Sequence, residues 1–265
     1  MKRYALLIEY DGSRFCGFQR QKDTPSVQQF LEETIAIFTQ QPVIIHASGR
    51  TDTGVHAVGQ VVHFDTKKSL NTHKLKGCLN HHGRFVGVSV HDIQEVSKDF
   101  HARFSALQRT YQYIILNQES HSPLLEGRVL HIPFHLDKEA MIEAASFFQG
   151  HHNFDSFRSA HCQASHAFRT LNECTITHTP PFLTITVKSP SFLHNQIRIM
   201  VGTLLYIGQG KKPPTWIKDL LQNPNRKHAG PTAPPHGLYF THVQFEENIF
   251  DHQNTLPCGN ILYAT

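Results

Sequence analysis

Apolar residues recur along the first half of the chain with the spacing of strands and of one clear helix. Residues 3–10 are rich in Tyr, Leu and Ile and end at an Asp-Gly pair, which predicts a strand followed by a turn. Ser26 and Gln29 have the spacing of a capping box, and an apolar stripe with helical spacing follows them, so a helix is predicted to begin there. The other elements predicted for this half are strands at 43–46, 58–64 and 86–96 and a helix at 72–81.

The second half mixes strands and helices without regular alternation. A stripe that includes Ile197 and Leu204 predicts a buried helix that ends at Gly208. The remaining predicted elements are strands at 109–116, 173–178, 182–189 and 238–245 and a helix at 138–149 capped by Asp137. Runs of strands bordered by helices predict an α+β fold with mainly antiparallel sheet. The tail from Glu246 onward is polar, and we expect it to be loosely held.

Composition places the chain among folded globular proteins. Its 265 residues suit one long domain or two ordinary ones of ~100–200 residues. Hydrophobic residues make up 39% and charged residues 17%, which excludes a disordered chain. Glu9 interrupts the first apolar run far short of the ~18 residues of a membrane span, so neither secretion nor membrane insertion is expected.

Charge and cysteine content indicate the kind of partner and the cellular compartment. Lys and Arg number 25 against 21 Asp and Glu, a formal net charge of +4. If the 21 histidines keep an unperturbed pKa near ~6.5, about a quarter of each is protonated at pH 7, so a polyanionic partner is plausible. The cysteines are odd in number and lack CxxC spacing, which favours a reducing cytoplasm. They are Cys16, Cys78, Cys162, Cys174 and Cys258.

The densest polar stretch is SGRTDTGVHAVGQ at 48–60, between two predicted strands. One interpretation is an Asx-type turn in which Asp52 accepts backbone N–H bonds and the glycines supply positive φ. The other is a rigid loop that presents Asp52 as a nucleophile or base while Arg50 grips a phosphate or a base edge. Residue types alone favour the turn.

Other stretches also admit both a functional and a structural interpretation. Residues 99–113 interleave arginines with aromatics, which suits RNA, but a strand with Tyr111 and Tyr113 on one buried face fits as well. Arg198 lies beside the buried helical stripe, where most arginines are solvated. In FDSFR at 154–158, the structural alternative for Asp155 is a helix cap.

The abundance of histidine raises the question of a metal site. The sequence has no HExxH motif and no paired CxxC motifs. The nearest approach to a ligand set is His161, Cys162 and His166. We therefore expect no metal.

A series of motifs runs in order through nearly the whole chain. They are YDGSRFCGFQRQ at 10–21, GRTDTGVHA at 49–57, FHARFSALQRTYQY at 100–113, FDSFR at 154–158, FLHNQIRIMVG at 192–202 and PTAPPHGLYF at 231–240. Together they resemble the tRNA pseudouridine synthase I family. The resemblance implies isomerisation of uridine to pseudouridine at positions 38, 39 and 40 of the tRNA anticodon stem-loop. It also implies a cytoplasmic homodimer that needs no cofactor and no metal.

The resemblance carries an architecture and a set of site residues. It implies two pseudo-symmetric α/β halves with mainly antiparallel sheets, joined across a central basic cleft. We expect residues 1–104 to form the half with the catalytic aspartate loop and residues 105–265 to form the half that completes the cleft. By motif position, the catalytic aspartate is Asp52 and its arginine partner is Arg198. Arg50 corresponds to the arginine that displaces the target nucleotide, Tyr111 to the active-site tyrosine and Leu238 to an apolar residue of the uracil pocket.

The implied reaction needs these residue types. It breaks an N-glycosidic bond, turns the freed uracil and forms a C–C bond, so the base must leave its stem at a cost of a few kcal/mol. Arg50 could fill the vacated space, and Tyr111 could stack on uracil or assist proton transfer. Asp52 can act as nucleophile or as base, and the sequence leaves both routes open.

Two other function classes stay open at this point. One is a tRNA-binding chaperone without turnover. The other is a small-molecule enzyme of α+β fold, which would show no salt-dependent binding of tRNA.

Overall fold

The computed structural model describes residues 1–250, which form two compact units. The first comprises Met1–Arg109 and the chain from Tyr239 to the end of the described residues, and the second is Thr110–Leu238. The chain passes from the first unit to the second after Arg109 and returns to the first at Tyr239. Most of the tail predicted to be loosely held, and Cys258 with it, lies outside the described residues.

The regular elements are numbered along the chain. The strands are β1 (Lys2–Tyr10), β2 (His46–Ala47), β3 (His56–Thr66), β4 (Val88–Val96), β5 (Gln108–Asn117), β6 (Leu130–Ile132), β7 (Gly150–Asn153), β8 (Phe168–Leu171), β9 (Glu173–Thr179), β10 (Phe182–Ser189) and β11 (Leu238–Gln244). The helices are α1 (Val27–Thr39), α2 (Thr72–Val86), α3 (Lys138–Ser146), α4 (Gln196–Gly208) and α5 (Trp216–Gln222).

The first unit is a sheet with β1 at its centre. β1 pairs antiparallel with β3 and with β4, and β3 also receives β2 antiparallel and β11 parallel. Five consecutive residues of β1, from Tyr4 to Ile8, are at most 1% exposed. Because successive side chains point to opposite faces of a strand, this sheet is covered on both faces. β3, which follows the loop containing Asp52, is thereby built into a rigid core.

The helices of the first unit begin at side-chain caps. Ser26 Oγ accepts a hydrogen bond from the Gln29 N–H at 3.2 Å, which confirms the predicted start of α1. Asn71 caps α2 through the Lys74 N–H at 3.0 Å, and α2 ends at Gly87 with φ 79°. The predicted end of α2 at residue 81 is wrong because the helix continues to Val86, where the left-handed Gly87 caps it.

The predicted strand at 43–46 is also wrong, since only His46 and Ala47 pair with β3. Side chains of α1 form hydrogen bonds with the backbone groups of Ile45 instead. Its N–H donates to Glu32 Oε1 at 3.1 Å, and its carbonyl accepts from Gln28 Nε2 at 3.3 Å. This segment therefore runs beside a helix rather than along a strand.

The second unit holds the remaining strands and three helices. β10 pairs antiparallel with β9 along its whole length, β6 pairs parallel with β5, and β7 and β8 form a separate antiparallel ribbon. The Asp137 carboxylate accepts from the Ala140 N–H at 2.9 Å and caps α3, as predicted. α4 is buried along almost its entire length, which confirms the predicted buried helix. The α+β fold with mainly antiparallel sheet is confirmed.

Three imidazole rings pack together in the first unit. His63 is 1% exposed, and its ring centroid lies 4.9 Å from that of His46 and 4.6 Å from that of His101. Nδ1 of His63 accepts a hydrogen bond from the backbone N–H of Ala102 at 3.1 Å. A proton on this nitrogen would break that bond. The neutral ring is therefore part of the packed core.

The histidines do not share one ordinary pKa. Burial, together with the neighbouring Arg3 charge, lowers the pKa of His63 to about 3. Burial also lowers the pKa of His101 and of His236. The expectation of equally protonated histidines is wrong for these residues, which carry less charge at pH 7 than was assumed.

We expect the free energy of unfolding to fall as the pH drops below about 6.5, because the unfolded chain binds a proton that folded His63 excludes until the pH nears 3. Arg3, His46 and His101 oppose the charge on this ring, and Asp65 favours it. His63→Gln cannot titrate, so its free energy of unfolding in urea should depend less on pH. Between about pH 4 and 6, the parent should lose up to ~1.4 kcal/mol more per pH unit than this variant. An exposed control, His82→Gln, should keep the parental slope. Equal slopes for parent and His63→Gln would contradict the expectation.

Candidate active site

The loop between β2 and β3 carries Arg50 and Asp52. Arg50 is exposed and Asp52 is half-buried. The Val55 N–H donates to the Asp52 carbonyl oxygen at 3.1 Å and closes a turn in which Gly54 has φ 79°. Glycine adopts this left-handed conformation at little cost. A turn therefore exists here and is closed by the main chain of half-buried Asp52, while the side-chain bonds of the predicted Asx-type turn stay a prediction.

The residue before Asp52 is held by buried contacts. Thr51 Oγ1 lies 2.7 Å from the hydroxyl of Tyr10, and the Thr51 carbonyl accepts from the Phe18 N–H at 3.1 Å. A Cβ atom at Gly17, where φ is 93°, would lie only 3.0 Å from this carbonyl oxygen. Burial raises the pKa of Tyr10 to about 12, so its hydroxyl keeps its proton at neutral pH. The sequence patterns did not predict these contacts of Thr51 with Tyr10 and Phe18.

The start of the loop is fixed by two buried side chains. Nε and Nη2 of Arg109 donate to the Ser48 carbonyl at 3.0 and 2.9 Å. Gln60 Nε2 donates to the Gly49 carbonyl at 2.7 Å. Arg109 is only 9% exposed. The RNA-binding interpretation of residues 99–113 is therefore wrong for Arg109, which holds the loop instead.

The histidine at the end of the loop is a core residue. His56 is 1% exposed, and its ring stacks on that of Tyr239 with centroids 4.9 Å apart. Its Nδ1 accepts from the Gly12 N–H at 3.1 Å and lies 3.3 Å from Asp11 Oδ1. A Cβ at Gly12 would lie 2.0 Å from the Val55 carbonyl, so only glycine fits there. These contacts join the turn after β1 to the loop that contains Asp52.

In the second unit, Tyr111 and Tyr113 both lie on β5 and are buried, with 8% and 0% exposure. The Tyr111 ring meets Phe192 edge to face, with centroids 5.2 Å apart. Tyr113 donates its hydroxyl to the Pro234 carbonyl at 2.8 Å. A Cβ at Gly237 would lie 2.8 Å from the Tyr113 ring, and this close approach positions the following residue, Leu238. Leu238 is 5% exposed.

Arg198 lies in the first turn of α4 and is held by its own unit. Its Nε donates to the Ala233 carbonyl at 2.8 Å, and Nη1 donates to Asn195 Oδ1 at 3.0 Å. The Ala233 N–H in turn donates to the Arg198 carbonyl at 3.0 Å. The guanidinium of this half-buried arginine is therefore oriented by neighbouring groups. Arg50 and Asp52 thus belong to the first unit, and Tyr111, Arg198 and Leu238 to the second.

The FDSFR motif is mainly structural. Phe154 and Phe157 are fully buried. Asp155 pairs with Arg158, with Oδ1 and Nε 2.5 Å apart, so the predicted capping role of Asp155 is wrong.

Within residues 1–250, no group of three or more His, Cys, Asp or Glu side chains is arranged to hold a metal ion. No helix in the same range has both the length and the apolar character to cross a bilayer.

Comparison with known proteins gives consistent matches. The model of the family described as tRNA pseudouridine synthase matches residues 6–105 and 144–246. The tRNA pseudouridine synthase A of Sinorhizobium fredii is 44% identical over 92% of this chain and 100% of its own length. The enzymes of the same name from Colwellia psychrerythraea and Ehrlichia ruminantium are each 43% identical, over 93% and 92% of this chain and 95% and 99% of their own. One chain in a crystal structure of a Cbf5-Nop10-Gar1 complex covers 76% of this chain, but the TM-score of 0.31 and 10% identity are too low to bear on fold or function.

Tyr10→Phe removes the hydroxyl that contacts Thr51 and should lower the free energy of unfolding by about 1 kcal/mol. Tyr4→Phe is a matched control, because Tyr4 is another buried tyrosine of β1 whose hydroxyl accepts from the Leu70 N–H, away from the loop. Both variants should lose similar stability. Only Tyr10→Phe should speed amide hydrogen exchange across residues 50–55, as measured by mass spectrometry. Equal exchange in the two variants would show that Tyr10 does not hold the loop.

Proposed function

The chain belongs to the tRNA pseudouridine synthase family, and we propose that it isomerises uridine to pseudouridine at positions 38, 39 and 40 of tRNA with Asp52 as its catalytic residue. The family match carries this proposal, since it extends over both units and includes the loop of Asp52. The enzyme is an isomerase that acts in the anticodon stem-loop of tRNA.

The position of Asp52 supports its catalytic role. Asp52 is half-buried, its own carbonyl accepts from the Val55 N–H, and the side chain of the preceding Thr51 contacts Tyr10. A group that attacks or deprotonates a bound nucleotide gains from such fixed placement, because little ordering remains to be done in the transition state. Both the nucleophile route and the base route use this same carboxylate.

Arg50 is proposed to take the place of the extruded nucleotide. It is exposed, two residues before Asp52, and its backbone follows a carbonyl that Gln60 holds. A guanidinium has donors for base edges and a flat face for stacking, so it suits the space that a flipped base leaves. A loop with a fixed backbone can deliver this side chain at a defined position.

The second unit is proposed to supply the groups that bind the uracil and the carboxylate. Tyr111 has a ring oriented by Phe192, and Leu238 follows the close packing of Gly237 on Tyr113. Arg198 is held before substrate binds, through Ala233 and Asn195, and an oriented cation stabilises a nearby negative charge without reorganisation. We propose that these side chains act on the same uridine as Asp52.

The homodimer, the cytoplasmic location and the independence from cofactors stay predictions from the family resemblance. The chaperone alternative predicts tRNA binding without modification. Pseudouridine has the same mass as uridine, but carbodiimide labels it. Carbodiimide labelling after incubation with unmodified tRNA therefore distinguishes the synthase from the chaperone. Labelled positions at 38–40 would support the proposal, and their absence with intact binding would support the chaperone.

Asp52→Asn should abolish tritium release from tRNA that carries 5-tritiated uridine, a loss of at least ~10⁴-fold. The affinity for tRNA should stay within about 3-fold of the parent, because one isosteric change leaves the phosphate contacts intact. Asp99→Asn, an exposed aspartate of the same unit, is the control and should release tritium normally. Substantial release by Asp52→Asn would refute the assignment.

Arg50→Ala should slow nucleotide extrusion and lower kcat/KM by ~10²-fold, since a few kcal/mol of unstacking lose their compensation. The readout is the fluorescence of 2-aminopurine placed beside the target uridine, which rises when the stack opens. Arg84→Ala removes another exposed arginine of the first unit and should leave this signal unchanged. A parental signal from Arg50→Ala would argue against the role.

A further inference from the structure

The second unit contains an open cavity that the proposed reaction does not use. Its volume is about 330 Å³, near the lower end of the ~300–1,000 Å³ of ligand pockets. None of the lining residues that the structure describes is acidic. The residues that matter for its chemistry are His151, His166, Phe168, Arg169, Thr170 and Ser191. Cationic, imidazole and hydroxyl groups around one aromatic ring suit an anion that carries a flat apolar part.

Arg169 is the charged group of this cavity. Its Nη1 donates to the carbonyls of His166 and Phe168 at 3.2 and 2.6 Å, which fixes the guanidinium. Its Nε is buried and has no hydrogen-bond partner among the described residues. Most buried donors in proteins are satisfied, so one that is left over calls for an acceptor. A phosphate oxygen is a strong acceptor for a guanidinium and binds it in this manner.

Phe168 supplies a flat apolar surface beside this charge. The side chain is 49% exposed, and its ring stacks on that of His151 with centroids 5.7 Å apart and planes 17° apart. The outer ring of such a stack is available to a third flat group. Bases of single-stranded RNA stack on aromatic side chains in this way.

The cavity is tied to elements that carry proposed site residues. Ser189 is fully buried, and its Oγ lies 2.7 Å from the carbonyl oxygens of both Thr170 and Ser191. This hydroxyl fixes β8 to the segment after β10. The next residue along that segment, Phe192, contacts Tyr111. One wall of the cavity is thus adjacent in the chain to the residue that orients the proposed uracil-binding tyrosine.

We propose that this cavity binds a nucleotide next to the target uridine in the RNA substrate, with Arg169 on its phosphate and Phe168 stacked on its base. The inference rests on the proposed function and deepens it by assigning a second nucleotide site. Ser191 of the cavity is followed directly in the chain by Phe192, which contacts Tyr111 of the proposed uracil site. A neighbouring nucleotide held there would fix the strand on one side of the base that must turn.

The test measures binding of a fluorescein-labelled anticodon stem-loop RNA by anisotropy at several salt concentrations, in the Asp52→Asn background so that no turnover occurs. Phe168→Ala should raise Kd by at least about 5-fold without changing the dependence of log Kd on log salt. Arg169→Gln should raise Kd and reduce that slope by ~0.7, the value for one phosphate contact on a single strand. Arg169→Lys keeps the charge and should keep the slope while Kd rises.

Matched controls separate the cavity from general surface effects. Phe134 is 48% exposed and lies in the same unit outside the cavity, so Phe134→Ala should leave Kd unchanged. Circular dichroism reports whether each variant folds. If Arg169→Gln does not fold, Phe168→Ala and Arg169→Lys decide the question. The first removes a ring that is half-exposed, and the second keeps the positive charge, so both should fold.

Three results would overturn the inference. The first is a Kd within ~2-fold of the parent for both Phe168→Ala and Arg169→Gln. The second is an equal loss of affinity in Phe134→Ala. The third is a change in sedimentation of Phe168→Ala with unchanged RNA affinity, which would make this face a contact between protein copies. If the wild type releases tritium and the Asp52→Asn protein binds RNA, these results refute the nucleotide site alone. Failure of the wild type to release tritium would instead refute the proposed function.

Discussion

The loop that carries Asp52 depends on one constraint, which is that buried polar side chains must find partners within the fold. Arg109 is nearly inaccessible to water, and a buried guanidinium without acceptors would cost several kcal/mol. Its acceptors are backbone carbonyls, among them those of Ser48 and Ala106. Gln60 and Tyr10 also need hydrogen-bond partners. Gln60 bonds to the Gly49 carbonyl, and the Tyr10 hydroxyl bonds to the Thr51 hydroxyl. Because each of these groups can be satisfied in few other ways, the backbone of the loop is held in place, while Arg50 is exposed and Asp52 is half-buried.

The elements that could be predicted from the sequence are those with a long apolar period or a capping residue. α1, α4 and β10 have such signals, and the Asp137 cap of α3 is read directly from residue type. The short elements β6, β7, β8 and α5 were missed, since three to seven residues show too little periodicity to separate them from loops. The wrong strand at 43–46 has another cause. Side chains of α1 bind the backbone of Ile45, and no local pattern reveals a partner that is distant in the fold.

The candidate site shows the same division between local and distant information. The motif around Asp52 predicted both a turn and a catalytic carboxylate, and the two interpretations are compatible because the turn is closed by a main-chain carbonyl and Asp52 is only half-buried. The surroundings of Arg109 and Arg198 could not be predicted, for a common reason. Sequence distinguishes residue types but not burial, and an arginine bonded to carbonyls looks identical to one that grips phosphate. Only the acceptors, Ser48 and Ala233, separate the two cases.

The titration of the histidines changes the electrostatic basis of RNA binding. A net charge of +4 is small for a protein that binds a polyanion, and protonated histidines seemed able to supplement it. His63 and His101 do so less than was assumed, because burial favours their neutral forms. Affinity must then come from a few arginines and lysines at defined positions, together with stacking, which depends little on salt. In the proposed roles, exposed Arg50, Arg169 and the half-exposed ring of Phe168 would supply contacts of this local kind.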